Sequence, residues 1–174
     1  FGLFTADCVK FSRDTAIMTA ASDENGCFEF TDVPFGQYIV REIESPSGYI
    51  LSDKEYAVSI SEDGEVIEIT AENKPVTVEI SKRDVYGNEL KGAKMQIIDS
   101  EGNIVDEWTS DGTDHIVTKI PVGNYTLKEI AAPDGYVIAT DIKFSIDVYG
   151  NVTVENADAA VIAEDLSLIH ISEP

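Results

Sequence analysis

Charged side chains in the second half of the sequence fall on strand faces that otherwise carry apolar residues. Residues two apart along a strand share a face, so Lys82 lies with Val78 and Ile80. By the same count Glu129 and Asp165 lie on apolar faces of two later strands. Charged groups are rarely buried unless they are paired. The spacing therefore predicts an amine that meets carboxyl groups in the core, as a reactive site or a buried salt bridge, or else strand ends that reach water.

The first half of the sequence repeats part of this arrangement. Glu42 shares a face with Val40, and Asn73 lies on an apolar face of the strand that closes this half. In the second half, Asn156 has suitable parity as well and is an alternative to Asp165. Burial favours the neutral forms of lysine and glutamic acid, which makes the amine nucleophilic and lets the acid donate a hydrogen bond.

The elements that hold these residues occur twice. Residues 33–49 align without a gap on residues 120–136, an offset of 87, and eight of the seventeen positions are identical. A repeat of this kind is the mark of duplicated domains. The sequence therefore predicts two tandem domains, 1–75 and 76–165, which meet at Lys74-Pro75, where proline interrupts a strand-like run.

Short alternating runs separated by turn residues fill both copies. Examples are residues 76–82 and 143–148, with Tyr86-Gly-Asn and Tyr149-Gly-Asn among the turns. Period-two patterning at this spacing, without a convincing helical period, predicts an all-β fold with one β-sandwich in each copy.

The two ends of the chain are expected to depart from this pattern. Residues 1–4 align with 95–98, so the first copy is expected to lack its opening strand and, with an open edge, to be the less stable half. Residues 166–174 match one reading frame through a transposon-type sequencing adapter, and we interpret them as read-through. The alternative is a genuine C-terminal strand, since Leu168, Ile169 and Ile171 are apolar.

Composition argues against several classes of function. The 174 residues include 33 Asp and Glu against 12 Lys and Arg, for a formal net charge of −21. A surface this acidic repels nucleic-acid backbones and anionic lipid, and no apolar run has the length of a membrane span. We therefore expect no nucleic-acid partner and no membrane insertion within this fragment.

Few residues are suited to metal, cofactor or conventional nucleophilic chemistry. Cys8 and Cys27 are expected to be unpaired, and His115 has no cysteine or histidine partner in the sequence. The acidic turn Asp99-Ser-Glu-Gly-Asn lacks the EF-hand spacing for calcium. Trp108 is expected to pack against the protein and not to stack on a sugar. The sequence thus predicts no cofactor, no metal and no enzymatic turnover.

A longer motif carries a family resemblance. The segment Tyr125-Thr-Leu-Lys-Glu-Ile-Ala-Ala-Pro-Asp-Gly-Tyr136, with a variant at 38–49, resembles the signature of SpaA-like, prealbumin-fold domains, also called Cna B-type domains, of Gram-positive pilins and surface adhesins. Ile80-Ser-Lys-Arg-Asp84, Gly92-Ala93 and Asn73-Lys-Pro75 fall in the family order. The resemblance covers nearly all of residues 1–165 and implies two tandem prealbumin-like, or Ig-like, β-sandwiches.

The resemblance also implies a covalent crosslink and assigns its residues. In this family a first-strand lysine bonds to an Asn or Asp of the last strand with the help of an inward glutamate. The matching positions in the second copy are Lys82, Glu129 and Asp165, with Asn156 as the alternative acceptor. The first copy retains Glu42 and Asn73, and its lysine is expected to precede this chain.

The function implied by the resemblance is structural. The chain is expected to be a stalk or spacer repeat of a cell-wall-anchored, extracellular adhesin or pilin, with neighbouring repeats of the same protein as partners. One alternative is a binding module whose loops hold a host-matrix protein or a glycan, and another is an accessory domain of an enzyme. The same core pattern repeated with dissimilar loops favours the spacer.

Overall fold

The alternating runs of the sequence form strands in the computed structural model, which describes residues 1–84 and 86–155 together with the backbone of residues 168–172. Within these residues every regular element is a β-strand. Contacts divide the chain into two units, unit 1 with Phe1–Pro46 and Ile50–Lys74, and unit 2 with Ser47–Tyr49 and Pro75–Pro174. In the part of the chain that the structure describes, no helix is long and apolar enough to cross a membrane.

Unit 1 contains one antiparallel sheet. Its strands are β1 (Gly2–Thr5), β2 (Met18–Thr19), β3 (Gly36–Arg41) and β4 (Glu55–Ile60). They are arranged in the order β2-β1-β3-β4. Leu3, Phe4 and Val40 are its buried apolar side chains. The alternation of the sequence places these residues on one face, which forms the core of this unit.

Unit 2 is a sandwich of two antiparallel sheets. Its strands are β5 (Thr77–Arg83), β6 (Lys91–Asp99), β7 (Ile104–Asp111), β8 (His115–Thr118), β9 (Gly123–Ala131), β10 (Ile142–Ile146), β11 (Val152–Val154) and β12 (Leu168–Ser172). One sheet has the order β11-β10-β9-β6-β7 and the other β12-β5-β8. Alternate residues of both sheets are buried, Val78 and Ile80 on β5 and Met95, Leu127 and Phe144 on the larger sheet. The all-β sandwich predicted from the sequence is confirmed.

The two units contain matching strands. Strand β1 pairs with β3 as β6 pairs with β9, with Leu3 opposite Val40 and Ile97 opposite Leu127. This is the register expected from aligning residues 1–4 with 95–98. No strand among the described residues 1–74 corresponds to β5. The residues that match β8, 28–31, are not in a strand either, because the partner of β8 in its sheet is β5.

The C-terminal segment takes part in the sheet of β5. Strand β12 pairs with β5 in antiparallel register, with Leu168 opposite Arg83 and Ile169 opposite Lys82. This backbone pairing agrees with the alternative interpretation, in which residues 166–174 include a C-terminal strand. The interpretation of this segment as adapter read-through concerns its origin and stays a prediction.

Candidate functional site

The site of unit 2 starts from a lysine on the apolar face of β5. Strand alternation directs Val78, Ile80 and Lys82 to the same side, and all three are buried. The lysine side chain is only 3% exposed. Because this face of β5 is turned toward the core, the Lys82 side chain extends toward the opposite sheet.

Glu129 on β9 meets this lysine inside the sandwich. Its Oε2 atom lies 3.1 Å from the Nζ atom of Lys82, and the carboxyl side chain is fully buried. The backbone N–H of Ala139 donates a second hydrogen bond to the same oxygen at 2.6 Å. The other oxygen, Oε1, is also buried and has no hydrogen-bond partner among the described residues. One oxygen of the carboxyl group therefore holds the amine, and the other has no described partner.

The environment of Lys82 changes its protonation. Burial removes water from the ammonium group and lowers the pKa of Lys82 below its ordinary value of 10.5, against the opposing effect of the Glu129 charge. A lower pKa increases the fraction of neutral amine, which is the nucleophilic form. The site thus has a buried amine whose free base is favoured by the apolar core around it.

Unit 1 contains a related arrangement without the lysine. Glu42 is 4% exposed, and its Oε1 accepts a hydrogen bond of 2.8 Å from the side-chain amide of Asn73. The backbone N–H of Ser52 donates to Oε2 at 2.8 Å. Among residues 1–74, all of which are described, no lysine is buried. This unit therefore pairs a buried glutamate with Asn73, the acceptor expected from the sequence.

The two glutamates are held by equivalent backbone groups. Glu42 and Glu129 are 87 residues apart, and so are Ser52 and Ala139, whose N–H groups bind them. Sequence reasoning missed these two donors. The constant offset of the repeat shows that the two donors are equivalent. It does not reveal that they are donors, because almost every residue type has the same backbone N–H group.

The structure places four of the six predicted site residues. It brings Lys82 to Glu129 in unit 2 and Asn73 to Glu42 in unit 1. The two acceptors considered for unit 2, Asp165 and Asn156, lie outside the described residues. Their bond to Lys82 therefore stays a prediction.

The remaining candidate residues have local roles. Cys8 and Cys27 are free thiols, and the Asp99 carboxylate accepts hydrogen bonds from the N–H groups of Glu101 and Asn103 within its own turn. A hydrogen bond from the side-chain amide of Asn103 and then these backbone bonds lower the pKa of Asp99. The contacts account for the acidic turn as turn chemistry. Within the described ranges, no cluster of three or more His, Cys, Asp or Glu side chains is arranged to hold a metal ion.

His115 has partners that the sequence did not reveal. Its ring stacks on Trp108 with centroids 4.0 Å apart, and its Nε2 lies 2.7 Å from Oδ2 of Asp106. Strands β7 and β8, which carry these residues, are at edges of different sheets. Trp108 therefore packs within the protein, as expected, and helps to join the two sheets.

Comparison with known families assigns the fold. The SpaA family, described as a prealbumin-like fold domain, matches residues 1–75 and again residues 76–159. These matches cover most of the chain, which therefore belongs to this family and contains two tandem copies of its domain.

Individual relatives are similar over part of their length. The chain is 26% identical over 152 residues to the serine-aspartate repeat-containing protein F of Staphylococcus epidermidis, a match that covers 74% of this chain and 9% of the relative. The Bacillus anthracis TIE protein is similar in structure, with 30% identity, a TM-score of 0.47, and coverage of 74% of this chain and 25% of that one. A streptococcal ancillary pilin has 22% identity and a TM-score of 0.33, with coverage of 66% and 39%.

Proposed function

We propose that this chain is a stalk or spacer segment of a bacterial cell-surface adhesin or pilin, and that unit 2 crosslinks itself through an isopeptide bond. The observation that carries the proposal is the buried contact of Lys82 with Glu129. Membership of the prealbumin-like family supports it, as does the Glu42–Asn73 pair of unit 1. Together the two units contain the three residue types that the crosslink needs, on equivalent scaffolds.

The proposed reaction joins Lys82 to a side-chain carbonyl carbon near the end of unit 2. The neutral amine attacks Cγ of Asp165, a C–N bond forms, the C–O bond breaks and water leaves. With Asn156 as the acceptor, the broken bond is C–N and ammonia leaves. Glu129 takes part as the acid that polarises the acceptor carbonyl and passes the proton of the amine to the leaving group. The folded core supplies proximity in place of a cofactor.

Such a bond forms once in each molecule, so the chemistry is self-processing and not enzymatic turnover. By analogy with loop closure by a disulfide, a link across a loop of this length stabilises the fold by about 4–5 kcal/mol. Its mechanical effect is larger, because the first and last strands of unit 2 then separate only if a covalent bond breaks. This property suits a protein held under tension outside the cell, with neighbouring repeats of the same surface protein as partners.

Intact mass measurement of the full chain tests the proposal. We expect the mass to fall by one water, or by one ammonia, relative to the sequence. Fragmentation of the crosslinked peptide then identifies the acceptor as Asp165 or Asn156. The variants Lys82→Ala and Glu129→Ala should restore the full mass. Lys128→Ala is the matched control, because Lys128 is on the same strand as Glu129 but pairs with Asp141 at the surface.

An unshifted mass from folded protein would contradict the crosslink and leave Lys82 and Glu129 as a buried ion pair. The structural role has a separate test. Saturable binding of a host-matrix protein or a glycan by the Lys82→Ala variant would favour the alternative, a binding module that acts through its loops.

A further inference from the structure

A short segment of the family signature is packed inside unit 2, although it belongs to the first sequence copy. This segment is Ser47–Tyr49. The N–H of Val76 donates to the carbonyl of Gly48 at 2.9 Å, and the carbonyl of Val76 accepts from the N–H of Lys119 at 2.7 Å. Tyr49 forms an antiparallel bridge with Pro75. We call Pro75, Val76 and Lys119 the seat of this segment.

The seat requires glycine at position 48. Gly48 is buried and has a φ of +80°, and a Cβ atom built on it lies 2.4 Å from the carbonyl oxygen of Lys119. Lys119 is itself in the left-handed region, with φ +60°, and its ammonium lies 5.2 Å from the centre of the Tyr49 ring. Backbone approach this close leaves no room for a side chain.

The equivalent segment of the second copy has the same conformation but no cover. Gly135 has a φ of +87°, and among the described residues no atom lies within 4 Å of a Cβ atom built on it. The following residues are unusually exposed for their type, with Tyr136 at 37%, Val137 at 56% and Ile138 at 57%. Three consecutive large apolar side chains are therefore in contact with water, at positions whose counterparts in the first copy are all half-buried.

One residue of the seat has a counterpart in the first copy. Among the described residues, only Asp32 and Lys119 have a positive φ without being glycine, and Asp32 has a φ of +55°. Asp32 lies 87 residues before Lys119 and is therefore its counterpart in the first copy. Each copy thus has a left-handed residue before its Val-Pro or Ile-Pro pair and a left-handed glycine in its signature. A domain that has both this segment and a complete seat can make the same head-to-tail contact with the domain that follows it.

We propose that the exposed segment 135–138 docks against the beginning of a further domain of the same fold. The occupant is a domain that follows unit 2 in the stalk and offers counterparts of Pro75, Val76 and Lys119. Its first strand donates an N–H to the carbonyl of Gly135, and its left-handed loop residue covers the glycine. This contact rests on the packing of Gly48 and does not depend on the isopeptide bond.

An extended chain tests the proposal, with residues 75–165 repeated once after residue 165. Amide hydrogen exchange is measured for the peptides that contain Tyr136 and Tyr49, the latter as the internal standard. In the extended chain the exchange of the Tyr136 segment should slow by about tenfold or more relative to the original chain. The substitution Gly135→Ala should remove this protection, and the same substitution in the original chain measures the strain that alanine at a φ of +87° causes without the contact.

A second version of the extended chain, with a shorter connection to the added copy, controls for the length of the linker. Joining residue 75 of the added copy directly to residue 161 keeps the spacing of 26 residues that separates Tyr49 from Pro75. If the Tyr136 segment exchanges as fast as in the original chain with both junctions, the proposal is wrong. A chain that loses water or ammonia but leaves Tyr136 unprotected would retain the crosslink and reject only this contact.

Discussion

The two copies form equivalent sheets from similar sequences, but among the described residues only the sheet of unit 2 is packed against a second sheet. On β10 the inward side chains of Ile142, Phe144 and Ile146 are at most 2% exposed. The corresponding side chains of β4, Tyr56, Val58 and Ile60, are all half-exposed. The difference lies in the second layer, since unit 2 has β5 and β8 opposite this face and unit 1 has neither strand among its described residues.

The comparison separates what the signature motif does from what the second layer does. The motif is sufficient to place the glutamate, because Glu42 is as buried as Glu129 and is held by the equivalent backbone N–H. The second layer supplies the lysine and the dry environment that lowers its pKa. A carboxyl site is therefore a local property of the repeat, whereas a buried amine with a lowered pKa needs the complete sandwich.

Removing each glutamate measures this division directly. Glu129→Ala leaves the buried amine of Lys82 without its carboxylate, and we expect unit 2 to lose about 3–5 kcal/mol of stability, before any loss of the crosslink. Glu42→Ala breaks two hydrogen bonds but strands no buried cation, so unit 1 should lose about 1–3 kcal/mol. Hydrogen exchange of core amides in each unit gives the two values in one chain.

The double variant Lys82→Met with Glu129→Leu is the control for this pair. It removes both charges and should recover most of the stability, since apolar replacements of a buried ion pair are often neutral or better. Equal losses for Glu42→Ala and Glu129→Ala would mean that the second layer adds nothing to the role of the carboxylate.

A matched pair of isoleucines measures how much stability comes from covering the sheet with a second layer. Ile60 and Ile146 are the last residues of β4 and β10, and only Ile146 is fully buried. Ile146→Ala should cost about 2–5 kcal/mol, the range for deletion of buried methyl groups. Ile60→Ala should cost about half as much, because part of its side chain is already in water. Denaturant unfolding followed separately in each unit checks the ratio, and equal costs would contradict the exposed face of unit 1.

Most of the fold could be predicted from the sequence because strand alternation and turn residues are local signals. The offset of 87 gave the duplication, and parity alone placed Lys82 and Glu129 in the core. The pairing of β12 with β5 agrees with the alternative interpretation of residues 166–174 as a strand, whereas the preferred interpretation places them outside the fold. Sequence pattern gives the faces of a strand, but the choice of partner depends on which edge remains open in three dimensions.

The site was predictable to the extent that it depends on side-chain parity. The amides of Ser52 and Ala139, which hold the glutamates, were missed because every residue type except proline supplies the same N–H group. The partners of His115 were missed for another reason. Asp106 and Trp108 lie on a neighbouring strand of the sequence, but their contact joins two sheet edges, and no local pattern reports that approach.

The smallest expected effect is the pH dependence that the protonation of Lys82 gives to the free energy of unfolding. It distinguishes a unit 2 that contains the isopeptide bond, called linked, from one that does not. In a variant without either acceptor, Asp165→Ala with Asn156→Ala, the lysine remains an amine whose pKa is lowered by burial. Between that lowered pKa and 10.5 the unfolded chain binds a proton that the folded chain has lost, so the free energy of unfolding must rise with pH. The slope is at most about 1.4 kcal/mol per pH unit. Lys82→Met in the same background should abolish the rise.

The linked chain should resemble the Lys82→Met variant in this measurement, because an amide nitrogen does not titrate in the same range. In unit 1 burial lowers the pKa of the Phe1 amino group below its ordinary value of 8.0, and no lysine is buried. Unit 1 should therefore show no such rise above pH 8 in either background. Urea unfolding at a series of pH values from neutral to alkaline, followed in each unit, tests both expectations. A rise that persists in the linked chain would assign the titration to a group other than Lys82 and would remove the link between burial of this amine and its reactivity.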